Sequence, residues 1–194
     1  MHLLALGLNH TTAPVEVRER LAFSESEISE SLQLLTERHQ LPEAALLSTC
    51  NRTEIYTASE DTDRAADQIR RFVADFHRLA PNTVRPYMYH HTGDGAVRHL
   101  FRVSGGLDSM ILGESQILGQ VKESYRVAQE AGSTGIYLNH LFERSFAVAK
   151  RVRTETRIGE NAVSVSYAAV ELARKIFGDL DAQRVMLVGA GEMA

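Results

Sequence analysis

The sequence predicts an α+β protein: a split βαβ open sandwich, a run of helices after it, and then the start of a Rossmann-type α/β unit. Three observations carry this. Up to residue 91, short apolar runs closed by polar turns alternate with amphipathic stretches in the order strand, helix, strand, strand, helix, strand. From 94 to 177 the apolar spacing is mainly helical. An apolar run at 184–188 then feeds a glycine pair, as a strand entering a tight turn would.

Residues 2–9, HLLALGLN, form the first buried strand, and Pro14 holds the loop that follows in extended geometry. Ser24 and Glu27 have capping-box spacing, and Ile28, Leu32, Leu35 and Leu41 follow at near-helical intervals before Pro42. A strand at 44–47, a polar loop at 48–52 and a strand through Ile55 and Tyr56 come next. Ala65, Ile69, Phe72, Val73 and Phe76 mark a helix over 65–79, and 82–91 is a connector with a strand at 88–90. Helices are then expected at 94–103, 116–131, 138–155 and 164–177. Between the first two of these, residues 104–114 are too rich in glycine and polar side chains for uninterrupted packing, which places them at a cleft. The chain divides into a unit at 1–157 and, at 158–194, a linker helix with the start of a second unit.

Composition narrows the function. A net charge of −4 argues against a generic electrostatic nucleic-acid binder. A single cysteine makes no intramolecular disulfide, and the N-terminus lacks the charged and apolar regions of a secretory signal, so a cytoplasmic location is expected. No run approaches the ~20 apolar residues of a membrane span. Scattered histidines and one cysteine offer no metal-ligand spacing, so no metal site is expected.

Cys50 lies in the polar loop Ser48-Thr49-Cys50-Asn51-Arg52, and two readings stand for it: an inert free thiol, or a nucleophile. For the second, Arg52 supplies positive charge suited to hold a carboxylate, and the backbone N–H groups after Cys50 are candidate oxyanion donors. His99 is either a partly buried helix residue or a general acid/base or orienting group near Cys50. Glu114, Ser115, Gln116 and Gln120 place polar groups at the start of a helix and one turn along it, as a helix N-cap with a solvated face would. The basic run Lys150-Arg151-Val152-Arg153 is a solvated face or a phosphate contact. Gly189-Ala190-Gly191-Glu192-Met193-Ala194, directly after an apolar run, is a glycine-rich turn or the start of a dinucleotide fingerprint.

Read together, GLNHTTAPVEVRER (7–20), LSTCNRTEIY (47–56), GLDSMILGESQILGQVK (106–122), VAKRVRTET (148–156) and VGAGEMA (188–194) resemble the glutamyl-tRNA reductase family over nearly the whole chain. The resemblance implies NADPH-dependent reduction of glutamyl-tRNA to glutamate-1-semialdehyde through a cysteinyl thioester, the first step of five-carbon tetrapyrrole synthesis. Cys50 matches the family's nucleophile and His99 a histidine the family needs. Thr49, Asn51 and Arg52 match its glutamate-binding segment, Arg52 as the carboxylate fork, while Ser109, Glu114, Ser115, Gln116 and Gln120 match the opposite wall. Residues Gly189 to Ala194 match the start of the NADPH loop, whose helix would lie past the last residue. A homodimer through further C-terminal helices and transfer of product to glutamate-1-semialdehyde aminomutase are also implied. Two rivals are a tRNA-binding or regulatory module without catalysis and a thiol redox sensor.

Overall fold

The computed structural model describes residues 1–159, 165–181 and 183–186. Among them, one four-stranded antiparallel sheet has the order β2-β3-β1-β4, with β1 at His2–Asn9, β2 at Ala45–Ser48, β3 at Arg52–Ser59 and β4 at Tyr89–Thr92. β1 and β2 run in the same direction with β3 between them, antiparallel to both, which is the split arrangement expected from the sequence. The expectation of an α+β protein with helices after the sheet holds.

Helices cover both faces. One face carries Leu4, Leu6, Leu8 and Ile55, all buried, and belongs to the core with Leu32 of α2 (Glu25–Gln33) and Ile69, Phe72 and Val73 of α3 (Thr62–Phe76). Glu27 accepts from the Ser24 N–H at 2.8 Å, as the capping-box spacing predicts. The opposite face places Ala5, Gly7 and Asn9 beside Arg52, Glu54 and Tyr56, since the register pairs Ala5 with Tyr56, Gly7 with Glu54 and Asn9 with Arg52. The helices meeting that face are α5 (Asp94–Ser104), α6 (Gln116–Glu130) and α7 (Ile136–Glu155). Tyr56 meets Phe142 edge-on at 5.6 Å, and Phe142 stacks on Tyr125 at 5.2 Å, tying β3, α7 and α6 into one core.

A distant side chain fixes the start of α7. Glu43, 6% exposed, accepts from the Tyr137 N–H at 3.1 Å and the Leu138 N–H at 2.6 Å, satisfying two donors that the first helical turn leaves unpaired.

Two short helices, α1 (Val15–Arg20) and α4 (Pro81–Val84), were not legible, because a stretch of one turn or little more shows no apolar period. α8 spans Val165–Phe177. The strand expected at 184–188 is not formed at 184–186, where Val185 and Met186 are 82% and 84% exposed: no described strand pairs with this run, and a lone strand leaves its backbone unpaired. Its remainder and the glycine turn at 189–194 lie outside the described residues. No helix among those described is long and apolar enough to cross a membrane.

Candidate active site

The polar loop at 48–52 is the tip of the β2–β3 hairpin. Thr49 N–H donates to the Arg52 carbonyl at 2.8 Å, leaving Cys50 and Asn51 at the apex, with the cysteine exposed. Thr49 Oγ1 accepts from the N–H groups of both Asn51 and Arg52 at 3.2 Å. The backbone donors after Cys50 are therefore spent inside the turn, which corrects the expectation that they face an oxyanion. From outside, Arg18 of α1 donates through Nη1 to the Cys50 carbonyl at 2.6 Å and to Asn51 Oδ1 at 2.9 Å. A charge-assisted strut thus fixes the tip.

Facing the hairpin is the glycine-rich loop between α5 and α6. Gly113 N–H bonds the Gly106 carbonyl at 2.9 Å, which folds the loop on itself. At Gly113 φ is +81°, and a Cβ there would strike the Ile158 carbonyl, so only glycine fits. Arg153 of α7 holds the end of the loop by donating to the Glu114 carbonyl at 2.7 Å. That contact gives one residue of the basic run an internal role.

Hairpin and loop enclose a cleft of about 270 Å³ lined by Thr49, Cys50, Asn51, Arg52, Ser109, Met110, Glu114, Gln116, Ile117 and Gln120. Met110 and Ile117 were not singled out in the sequence. Ser115 stands exposed outside this lining. Ser109 Oγ is buried without a hydrogen-bond partner among the described residues. Burial pushes the Glu114 carboxyl above its ordinary value, with Arg52 opposing. Its carboxylate makes no hydrogen bond or ion pair among the described residues, so the cleft presents an unpaired anion.

Arg52 forms the cleft's floor, and it is not the free fork that the sequence suggested. It is 1% exposed. Its Nη1 donates to Glu54 Oε1 at 2.7 Å, while Nη1 and Nη2 reach Asp108 Oδ2 at 3.3 Å and Nη2 donates to the Asp108 carbonyl at 2.5 Å. Burial would lower its pKa, yet Glu54, Tyr89 and Tyr56 overcome this and hold the guanidinium charged. Glu54 is the hub beneath: it also accepts from the Tyr56 and Tyr89 hydroxyls, and the Nε2 of His99 lies 2.9 Å from its Oε1. Burial would raise the Glu54 carboxyl, but Arg52's charge and the bonds from His99 and Tyr56 hold it well below the usual range.

His99 is accordingly 7% exposed, stacked on His91 at 4.7 Å and absent from the cleft lining. Its ring lies against Glu54, whose Oε1 also accepts from Arg52 Nη1. Glu54, Asp108, Tyr56, Tyr89 and Arg18 were missed in the sequence. The available signal was the alternation Arg52, Glu54, Tyr56, which puts two charges and a phenol on one face of β3.

The family model for the glutamyl-tRNAGlu reductase N-terminal domain matches residues 6–156. Over its full length the chain is 53% identical to glutamyl-tRNA reductase of Syntrophotalea carbinolica and 49% identical to that of Geobacter metallireducens, spanning 44% of each protein. The structure of glutamyl-tRNA reductase from Methanopyrus kandleri superposes with a TM-score of 0.69 at 38% identity, over 98% of this chain and 44% of that one. The chain thus spans less than half the length of these relatives.

Proposed function

The chain belongs to the family of glutamyl-tRNA reductase N-terminal domains, and on that premise we propose that its cleft takes the glutamyl group of glutamyl-tRNA onto Cys50. One observation carries the reading: the sequence's sole cysteine stands exposed at a braced hairpin tip, in one cleft with a carboxylate and a hydroxyl that have no hydrogen-bond partner among the described residues. The Cys50 thiol gives its proton to solvent and the thiolate attacks the ester carbonyl; the C–S bond forms, the C–O bond to the RNA breaks, and the ribose oxygen leaves by taking a proton back from solvent. Glu114 receives the substrate ammonium, while Ser109, Gln116, Gln120 and Thr49 supply neutral hydrogen-bonding groups around the glutamyl chain.

Arg52 gives the floor its charge and staples β3 to the loop that carries Ser109. A substrate carboxylate reaches it by taking the place of Asp108, whose side-chain bonds to it are long and whose side chain is 25% exposed. Glu54 and His99 position Arg52 from behind.

The thioester is the point at which NADPH, when bound, supplies hydride to give glutamate-1-semialdehyde, the entry to tetrapyrrole synthesis. The residues that would hold it, 189–194, lie outside the described residues. The end of the family match at 156 supports reading 1–157 as the glutamyl-tRNA unit and 158–194 as linker and cofactor-domain start. The wider reading includes a homodimer through C-terminal helices and an aminomutase that takes the product. Incubation with radiolabelled glutamyl-tRNA, acid trapping and hydroxylamine treatment test the central claim. Label that is protein-bound, hydroxylamine-labile and lost with Cys50→Ser is expected; label that persists in that variant defeats it.

A further inference from the structure

The Asp108 carboxylate bridges two arginines. Its Oδ2 meets Arg52 Nη1 and Nη2 at 3.3 Å, while its Oδ1 lies 3.9 Å from Arg102 Nη2. Asn9 Nδ2 also donates to Oδ2 at 3.3 Å, from the end of β1. None of these contacts is as short as the ~2.8 Å of a charge-assisted bond. Arg102 stands in the last turn of α5 with its side chain 52% exposed, and it makes no other ion pair or side-chain hydrogen bond among the described residues. It is absent from the lining of the cleft and belongs instead to the wall of a separate outer hollow, with Arg98 and Leu107.

The backbone around Asp108 is fixed on both sides. Leu107 N–H donates to the Arg102 carbonyl at 2.8 Å, so the end of α5 leads into Asp108 through a closed turn, and Arg52 Nη2 donates to the Asp108 carbonyl at 2.5 Å. Only the carboxylate is left to move. Shortening the 3.9 Å separation from Arg102 to a direct charge-assisted bond takes a shift of about 1 Å, within reach of a side-chain rotation.

The charge balance calls for that movement. Glu54 and Asp108 already set two carboxylates against the Arg52 guanidinium, and Glu114 adds another to the cleft. A substrate carboxylate arriving at Arg52 brings a further anion against Asp108, and like charges at that range repel. Resting on the acyl-transfer reading above, we propose that Arg102 is the cation that receives Asp108: as the γ-carboxylate of the glutamyl group docks on Arg52, the Asp108 side chain passes from Arg52 to Arg102. Glu54, fully buried and 2.7 Å from Arg52, keeps its place. Arg102 is thus a positioning residue, acting on the substrate through Asp108 without touching it. An uncharged γ-amide does not drive the exchange, so Arg102 contributes to the preference for an acyl chain that ends in a carboxylate.

The test uses the full-length protein and two synthetic substrates, a glutamyl ester and its γ-amide counterpart. KM and the limiting rate of Cys50 acylation are measured for wild type, Arg102→Gln, Asp108→Asn and the double variant. Arg102→Gln should raise KM for the glutamyl ester about two- to fourfold, the scale of one half-exposed ion pair, with the limiting rate and the γ-amide KM unchanged. Added to Asp108→Asn, the same substitution should change neither KM. Equal KM values in wild type and Arg102→Gln overturn the proposal. So does a rise of the same size in the Asp108→Asn background, which would mean that Arg102 acts on the substrate by its field alone. A rise shared by the γ-amide also overturns it, because Arg102 would then be shaping the loop. Acyl transfer stands in each of these cases, whereas a wild type acylated by neither ester overturns both readings.

Discussion

Gly7 lies directly opposite Glu54 across the β1–β3 pair, and Glu54 fills the space where a side chain of Gly7 would be. A Cβ at position 7 would come within 2.8 Å of both Glu54 Cα and Cγ, and would also strike the Thr53 carbonyl. The requirement for glycine is one of close approach. Gly7→Ala should push Glu54 off Arg52 and cost about 1–3 kcal/mol, the usual range for overpacking a filled interior. Denaturant unfolding measures it, and a variant as stable as wild type would show that the sheet yields without moving Glu54.

Glu54→Gln keeps the shape but removes the charge opposite Arg52, leaving a buried cation with only Asp108 as anionic partner. Breaking a buried pair in this way costs roughly 3–5 kcal/mol. The pH dependence has a definite sign. Because the folded carboxyl is held below its ordinary value of 4.5, its stabilising contribution is fully present above that value and is lost as pH falls towards the depressed one. Wild type should therefore lose stability on acidification below about pH 4.5 more steeply than Glu54→Gln. Equal acid slopes in pH-resolved unfolding curves would remove Glu54 as the titrating group.

Much of this was legible in the sequence. The capping box at Ser24 and Glu27, the apolar spacing of α3 and the hydrophobic run of β1 each depend on neighbours a few residues away, and each formed near its expected place. So did the loop position of Cys50. What failed depended on distant partners. Arg52 looked free because Asp108, which lies across it, is 56 residues away and sits in a loop whose path no period encodes. His99 looked like a candidate proton carrier because nothing near it in sequence shows that it faces Glu54, 45 residues earlier. Glu54 itself was hidden because β3 is buried on both faces, so the polar alternation of Arg52, Glu54 and Tyr56 reads like a solvent-facing edge although that face lies under helices.

Cys50→Ser separates chemistry from folding. The side chain is exposed at a turn held by Thr49 and Arg18 through backbone atoms and Asn51, none of which the substitution touches. Stability should change by no more than about 0.5 kcal/mol. Acyl transfer should vanish, because a serine hydroxyl here has no described base to activate it. Retained acylation with radiolabelled glutamyl-tRNA would assign the nucleophile elsewhere.

Arg52→Lys tests whether the floor needs a fork or only a charge. The guanidinium serves Glu54, the Asp108 side chain and the Asp108 carbonyl at once, and a single ammonium at the end of a flexible stem does not span all three. Loss of both stability and acylation is expected, with near-normal rates sinking the idea.

Asp108→Asn asks the complementary question, because the Arg52 partners are not equivalent. Glu54 is fully buried and 2.7 Å away, whereas Asp108 is a quarter exposed with its carboxylate at 3.3 Å. A substrate carboxylate competes with the second. The asparagine keeps the backbone bond from Arg52 to the residue 108 carbonyl, so the loop stays stapled, but it removes one of the two negative charges against the guanidinium. Positive potential at the cleft floor then rises. For a partly exposed pair the gain is modest, so KM for the glutamyl ester should fall about two- to fivefold with kcat little changed. An ester with a neutral γ-amide in place of the carboxylate should show no such gain, which separates relief of competition from a general change in the loop. A higher KM for the glutamyl ester would mean that Asp108 builds the binding surface rather than occupying it, and that the substrate carboxylate is held elsewhere than at Arg52.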